Sequence, residues 1–132
     1  MPKPVILCVD DEVVILDSLK IQLRTAFKDK YTYEVAENVE EAWEILEELQ
    51  EEKADILVIV SDWLMPGTKG DEFLVKVHHT FPQVLKIMLT GQASEDAIER
   101  AINEANLYRC LHKPWNSDEL ITTIQSGLKN HV

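Results

Sequence analysis

Short, almost wholly apolar segments recur along the chain, and each is followed by a longer segment with a different hydrophobic period. Three of them are rich in Val, Ile and Leu and too short to be helices, namely 5–9, 55–60 and 84–89. Uninterrupted apolar runs of this length are typical of strands buried on both faces, as in a parallel sheet. Two weaker segments, 32–36 and 107–111, fit the outer strands of the same sheet.

The intervening segments have the spacing of amphipathic helices. We expect these helices over 12–27, 39–51 and about 71–80, with two more that begin at Ser94 and Ser117. In both of the last two, acidic residues follow the serine and favour the positive end of a helix. Five strand–helix units in succession predict an α/β fold, in which a parallel sheet carries helices on both faces. No linker-like stretch interrupts the pattern, so we expect one domain over residues 1–132.

Polar residues follow four of the five predicted strands. Asp10 and Asp11 follow the first, Asp62 the third, Thr90 the fourth and Lys113 the fifth. Because ligands of open α/β sheets bind outside the carboxyl ends of the strands, we expect these side chains to gather at one edge. An acid after a strand is usually only the cap of the next helix. Helix capping alone does not readily explain why four of the five strands are followed by residues with reactive side chains.

Three carboxylates in one place favour a bound cation. Two such charges about 4 Å apart repel by roughly 4 kcal/mol at an effective dielectric constant near 20. Oxygen ligands without His or Cys predict Mg²⁺ or Mn²⁺ rather than zinc. The cation, Lys113 and Thr90 would together suit a phosphoryl group. Because the chain lacks a nucleotide-binding glycine loop, we expect a nucleophile within the protein, and Asp62 is the candidate for an aspartyl phosphate.

These residues, in this order and spacing, resemble the CheY-like receiver domain of bacterial two-component response regulators. The resemblance covers essentially the whole chain. It implies a doubly wound, flavodoxin-like sandwich of five βα units with the strand order 2-1-3-4-5. The motifs that carry it are Asp10-Asp11, Asp62-Trp63-Leu64-Met65-Pro66, Gly70, Thr90-Gly91 and Lys113-Pro114.

The resemblance also implies a role for each of these residues. Asp62 would accept the phosphoryl group, Lys113 would pair with it, and the Thr90 hydroxyl would move towards it. The peptide bond between Lys113 and Pro114 would be cis. The metal ligands would be Asp10, Asp11, Asp62 and the backbone carbonyl of Leu64.

One position departs from the family pattern. Cys110 stands where receivers usually carry an aromatic residue that moves with the switch hydroxyl, so we do not expect that switch in its usual form. Tyr108, two residues earlier, would lie on the same side of an alternating strand. The implied strand order separates Cys8 from Cys110 by about 14 Å, too far for a disulfide, and both should be free thiols.

The expected function is that of a phosphoacceptor signalling domain. It would take a phosphoryl group from a histidine kinase or histidine phosphotransfer protein, change conformation, and control an output domain or partner. It would be a regulatory domain and not an enzyme, apart from its own phosphorylation and dephosphorylation. The main alternative is an interaction module that works without phosphorylation. A flavodoxin-like cofactor carrier would need a hydroxyl- and glycine-rich phosphate loop after the first strand, which this chain lacks. A phosphatase with an aspartate nucleophile would need a second acid two residues after Asp62, where this chain has Leu64.

Composition narrows the partners and the location. The chain is 45% hydrophobic and 28% charged, as is usual for a folded domain, and its net charge is −11. That charge disfavours binding to nucleic acid or anionic lipid. No apolar run approaches the roughly 20 residues of a membrane span, and we expect a cytoplasmic protein. A homodimer through the fourth and fifth helices is compatible with the resemblance.

Overall fold

The computed structural model describes residues 3–63, 70–91 and 95–130. Within these ranges strands and helices alternate along the chain. The strands are β1 (Val5–Val9), β2 (Thr32–Ala36), β3 (Ile56–Asp62), β4 (Leu85–Thr90) and β5 (Arg109–His112). The helices are α1 (Val13–Phe27), α2 (Val39–Glu51), α3 (Gly70–Thr80), α4 (Glu95–Ala105) and α5 (Ser117–Asn130), and a 3₁₀ turn, Lys28–Lys30, follows α1.

The strands form one parallel sheet in the order β2-β1-β3-β4-β5. This order confirms the flavodoxin-like winding that the resemblance implies. Because successive side chains of a strand point to opposite faces, each inner strand contributes side chains to two hydrophobic cores, one on each face of the sheet. Ile6 and Cys8 of β1 pack on the face that α1 and α5 cover, while Leu7 and Val9 pack on the face of α2, α3 and α4. Each fully buried Ile or Leu contributes about 1.5–3 kcal/mol.

The carboxyl-terminal ends of β3 and β4 lie beyond the predicted ones. β3 extends two residues past the apolar run and ends at Asp62 itself, and β4 ends at Thr90. Backbone hydrogen bonds continue beyond both strands: Trp63 N–H donates to the Leu89 carbonyl (2.9 Å), and Lys113 N–H donates to the Thr90 carbonyl (2.8 Å). The residues added at this edge are polar but buried, so the apolar run ends before the hydrogen-bonded strand does. That edge is therefore rigidly held.

Two asparagines cap helices whose positions were predicted from the sequence, although their capping role was not. The Asn38 side-chain oxygen accepts the Glu41 N–H (2.8 Å) at the start of α2. The helix α5 begins at Ser117, as predicted, and Asn116 caps it, because the Asn116 side-chain oxygen accepts the Asp118 N–H at 2.8 Å. The predicted cap of α4, Ser94, lies outside the described residues.

Both cysteines are free thiols, as predicted. Cys8 is in β1 and Cys110 in β5, and β3 and β4 lie between these strands. Burial, and to a smaller extent the charge of Asp10, raises the pKa of Cys8 to about 12. Cys8 is therefore a neutral core residue at physiological pH.

Tyr108 does not share a face with Cys110, and that prediction was wrong. Cys110 packs against the core under α2, α3 and α4, whereas Tyr108 packs against the core under α1 and α5. Tyr108 precedes the first residue of β5, so the alternation of the strand does not extend to it. Its hydroxyl lies 3.0 Å from the Ser126 hydroxyl of α5.

No helix in the described part of the chain is long and apolar enough to cross a membrane.

Candidate functional site

Three carboxylates meet at the carboxyl edge of the sheet. Asp10 directly follows β1 and is buried, Asp62 ends the neighbouring strand β3 and is also buried, and Asp11 is exposed. One carboxylate oxygen of each lies within 4.8 Å of the other two. The parallel pairing of β1 with β3 places these strand ends side by side.

The ammonium group of Lys113 lies between two of these carboxylates. Its Nζ is 2.7 Å from Asp10 Oδ2 and 3.0 Å from Asp62 Oδ1. Lys113 follows β5, two strands away from β3, and its side chain is only 18% exposed. The peptide bond from Lys113 to Pro114 is cis.

Thr90 is buried at the end of β4, between the strands that carry Asp62 and Lys113. In the register of β3 and β4, Asp62 lies opposite Leu89, so Thr90 is one residue further along the edge. The structure thus brings Asp10, Asp11, Asp62, Thr90 and Lys113 to one edge of the sheet. Leu64, whose backbone carbonyl is a predicted metal ligand, lies outside the described residues.

Asp10 both accepts a backbone hydrogen bond in the turn before α1 and pairs with a charge. Its Oδ1 accepts the Glu12 N–H (2.9 Å) immediately before α1, while its Oδ2 accepts from Lys113. The backbone contact fixes the orientation of the carboxylate. The ordinary structural role and the proposed functional role therefore coexist in this residue.

Burial and neighbouring charges shift two pKa values at the site in the same direction. Burial raises the pKa of Asp62, and the charges of Asp10 and Asp11 add to this effect, while the hydrogen bond from Lys113 opposes it. Burial alone would lower the pKa of Lys113, but its hydrogen bonds to Asp10 and Asp62 outweigh that effect and raise it. Lys113 is therefore protonated at neutral pH. Its single positive charge does not fully offset the effects of burial and of the neighbouring carboxylates on the pKa of Asp62.

The donor set fits a divalent cation. Three carboxylates and one ammonium leave two formal negative charges at the edge of the sheet. Oxygen donors suit Mg²⁺ and similar hard cations, and no His or Cys belongs to the cluster of described residues. The acidic cluster is thus a potential site for such an ion.

Trp63 connects this edge to α3 and α4. Its indole N–H donates to Asp71 Oδ1 (3.1 Å), and Asp71 Oδ2 lies 3.6 Å from Arg100 Nη1 of α4. Asp71 and Arg100 could not be recognised in the sequence, because an acid in the first turn of a helix is explained by the helix dipole alone. The burial of Asp71 depends on how α3 and α4 pack, which the sequence pattern does not show.

An open groove of about 440 Å³ lies beside the site. It lies between α1 and the segment that begins at Lys113, and Ile15, Ser18 and Gln22 line its helical side. Trp115 forms part of the opposite side, and its indole N–H donates to Gln22 Oε1 (2.8 Å). Lys113 is thus reachable from the α1 side of the molecule.

The sequence model of the response regulator receiver domain matches residues 6–125, a range that contains every described residue of this site. The chain belongs to the response regulator receiver domain family. The resemblance carried by the strand-end motifs is therefore confirmed, and the domain is a regulatory signalling domain of two-component systems.

Two curated relatives show the range of proteins in which similar receiver domains occur. The chain is 30% identical over 124 residues to the hydrogenase transcriptional regulatory protein HoxA of Cupriavidus necator, and 32% identical over 125 residues to the sensor kinase CckA of Brucella abortus. Both matches cover 94% of this chain but only 24% and 12% of the relatives. The chain thus spans a quarter or less of the length of these two proteins.

A solved structure gives the same picture of the fold. The signal receiver domain of an HD domain-containing protein from Pseudomonas fluorescens Pf-5 superposes with a TM-score of 0.85 at 30% identity. The match covers 98% of this chain and 97% of that one. The βα order and the layers described above are therefore those of a receiver domain.

Proposed function

We propose that this receiver domain accepts a phosphoryl group on Asp62 and thereby changes conformation. The observation that carries the proposal is the position of the Lys113 ammonium, within hydrogen-bond distance of both Asp62 and Asp10. A fixed cation at the nucleophile is what phosphoryl transfer requires, because its transition state is stabilised chiefly by positioned positive charge. The catalytic set is Asp62, Lys113 and Thr90.

In the proposed reaction, a carboxylate oxygen of Asp62 forms a bond to phosphorus. The bond from phosphorus to a histidine nitrogen of the donor breaks, and the donor's imidazole leaves. Lys113 opposes the rise that burial causes in the pKa of Asp62, and it would then pair with the transferred oxygens. Thr90, at the end of the next strand, would donate a hydrogen bond to them.

The proposed metal ligands are Asp10, Asp11 and Asp62, together with the backbone carbonyl of Leu64 that the family resemblance implies. Bound Mg²⁺, or Mn²⁺ in its place, would supply positive charge for the phosphoryl oxygens. The contact from Glu12 N–H holds one oxygen of Asp10 in place, and Asp11 is open to solvent. This combination of a fixed and an accessible carboxylate suits an ion that keeps several of its waters.

The proposal extends to the partners and the organisation of the chain. The phosphodonor is a histidine kinase or a histidine phosphotransfer protein, and the groove between α1 and Trp115 gives it access to Lys113. Residues 1–132 form one receiver domain that acts in the cytoplasm, binds neither nucleic acid nor membrane, and catalyses only its own phosphorylation and dephosphorylation. The net charge of −11 supports the two exclusions. Homodimerisation through α4 and α5 is part of this proposal.

Phosphorylation by a small donor tests the function. Incubation with radiolabelled phosphoramidate and Mg²⁺ should label the wild-type protein, and chelation of Mg²⁺ with EDTA should abolish the label. Asp62→Asn removes the nucleophile while keeping the shape of the side chain, so we expect no label. Trp63, next to Asp62, should also change its fluorescence when beryllofluoride binds in the presence of Mg²⁺.

Asp55→Asn is the matched control, since this exposed aspartate directly precedes β3 at the opposite end of the strand from Asp62. The control should be labelled like the wild type. A label that persists in Asp62→Asn would show that another residue is the acceptor, and an unlabelled wild type would favour the interaction module that works without phosphorylation.

A further inference from the structure

Asp71 connects three elements through one buried carboxylate. Its side chain is 3% exposed in the first turn of α3. One oxygen accepts the Trp63 indole N–H, and the other pairs with the Arg100 guanidinium of α4. We call this set of three residues, Trp63, Asp71 and Arg100, the α4 tether.

Each end of the α4 tether is attached to a different part of the molecule. Trp63 directly follows Asp62, and its backbone N–H donates to Leu89 of β4, so it moves with the strand ends at the site. Arg100 lies in the middle of α4 and is also 4.0 Å from Glu104 of the same helix. The carboxylate thus joins the strand end that carries Asp62 to a helix that contributes no residue to the acidic cluster.

The burial of Asp71 makes the position of α4 matter. Arg100 is 53% exposed and can exchange its partner for water, but the carboxylate of Asp71 is enclosed by protein. If α4 moved away, Asp71 would lose the guanidinium, and removing one partner of a carboxylate held inside the protein is unfavourable. The contact therefore favours the arrangement of α4 in this structure.

We propose that the α4 tether opposes phosphorylation at Asp62 by holding α4 in the position that it has in this structure. This inference rests on the proposed function of Asp62. A phosphoryl group would replace the single negative charge of the Asp62 carboxylate with the roughly 1.5–2 negative charges of a phosphate beside Trp63, and in this proposal it favours a conformation in which α4 has moved. Because coupling between two sites is reciprocal, weakening the tether at α4 should strengthen phosphoryl binding at Asp62.

Titration with beryllofluoride in the presence of Mg²⁺ measures this coupling. Arg100→Gln should raise the apparent affinity about two- to fivefold, the effect expected from the loss of a largely exposed ion pair. The direction is diagnostic, because an arginine that acted only by its charge would attract the anionic ligand, and its loss would weaken binding. Arg100→Lys keeps a cation for Asp71 and should stay near the wild-type affinity.

Two controls separate the tether from other effects. Lys76→Gln removes an exposed positive charge from α3, and Glu104→Gln removes the second partner of Arg100 but leaves Asp71 in place. Neither should raise the affinity. In an Asp71→Asn background, Arg100→Gln should have no further effect, and the two single variants of Arg100 suffice if Asp71→Asn does not fold.

The indole N–H signal of Trp63 in nuclear magnetic resonance spectra gives an independent readout. Arg100→Gln should move the signal of the ligand-free protein part of the way towards its beryllofluoride-bound position. Unchanged or weaker binding by Arg100→Gln, with normal binding by the wild type, would overturn the tether and leave the proposed function intact. Failure of the wild type to bind beryllofluoride would instead overturn the proposed function itself.

Discussion

Lys86 is a lysine buried within an apolar strand. It lies in β4 with 1% of its surface exposed, and its Nζ donates to the Val84 carbonyl (2.7 Å). Burial lowers the pKa of Lys86 to about 8. The unfolded chain, with a lysine pKa near 10.5, binds more protons than the folded one between these two values. The free energy of unfolding should therefore rise with pH from about 8 to 10.5 on account of this residue.

Lys86→Met should stabilise the protein at pH 7. The substitution keeps the length of the side chain and removes a charge whose burial is unfavourable, so we expect a gain of about 1–3 kcal/mol. The gain should shrink as the pH is raised to 10, where the wild-type lysine is neutral in the folded state. Urea unfolding of both proteins at the two pH values measures the difference. Lys76→Met, at an exposed position of α3, should change little, and a gain independent of pH would contradict the argument.

At the residue scale, the sequence predicted which groups come together but not how they pair. Parallel strands bring their carboxyl ends to one edge, so Asp10, Asp62 and Thr90 could be placed there from the order of the segments alone. That Lys113 would contact both Asp10 and Asp62 depends on side-chain geometry. The burial of Lys86 was likewise hidden, because a single lysine in an apolar run is equally compatible with an exposed strand end.

The helix α5 packs closely against the residues beneath it at Gly127. A Cβ atom there would lie 2.9 Å from Leu85 Cδ1 and 3.1 Å from Tyr108 Cε2, and it would also contact Leu85 Cδ2. Intrinsic helix propensity favours alanine over glycine by about 1 kcal/mol. The packing at this position acts in the opposite direction, since Leu85 is itself buried and has little room to move.

Gly127→Ala should therefore destabilise the protein by about 1–2 kcal/mol, since overpacking a buried contact typically costs about 1–3 kcal/mol. The shift of the urea unfolding midpoint measures this effect. Gln125→Ala, at an exposed position of the same helix, should be neutral or slightly stabilising. In a Leu85→Val background, the cost of Gly127→Ala should fall, because the shorter side chain leaves space. Equal costs in both backgrounds would show that the contact with Leu85 is not the cause.

Most elements could be predicted from periodicity, and the deviations have a common cause. The limits of β1, β2 and α2 match the predicted ones, whereas β3 extends two residues further and β5 begins two residues later. Apolar runs report hydrophobicity, and a strand can continue through buried polar residues, as β3 does, or begin after a buried apolar residue, as β5 does after Leu107. The capping role of Asn116 was not predicted, because asparagine and serine are both favourable cap residues and their order alone does not show which of the two caps the helix.

The molecule as a whole is strongly acidic, and its functional edge concentrates that charge. The net charge is −11, and three carboxylates share one ammonium at the site. Added salt screens the general repulsion between exposed charges, whereas a divalent cation held by the cluster also binds the folded state selectively. These two effects can be separated by experiment, because only the second depends on individual carboxylates.

Mg²⁺ should raise the free energy of unfolding by about 1.4 kcal/mol when its concentration is ten times the dissociation constant. Asp11→Asn tests whether the cluster is responsible, since Asp11 is exposed and the substitution should leave the fold intact. With EDTA, the variant should equal or exceed the wild type in stability, because loss of the Asp11 charge relieves its repulsion of the Asp62 carboxylate. With Mg²⁺, the order should reverse. Thermal unfolding under both conditions, with NaCl at matched ionic strength, would contradict the assignment if NaCl alone reproduced the gain or if Mg²⁺ stabilised both proteins equally.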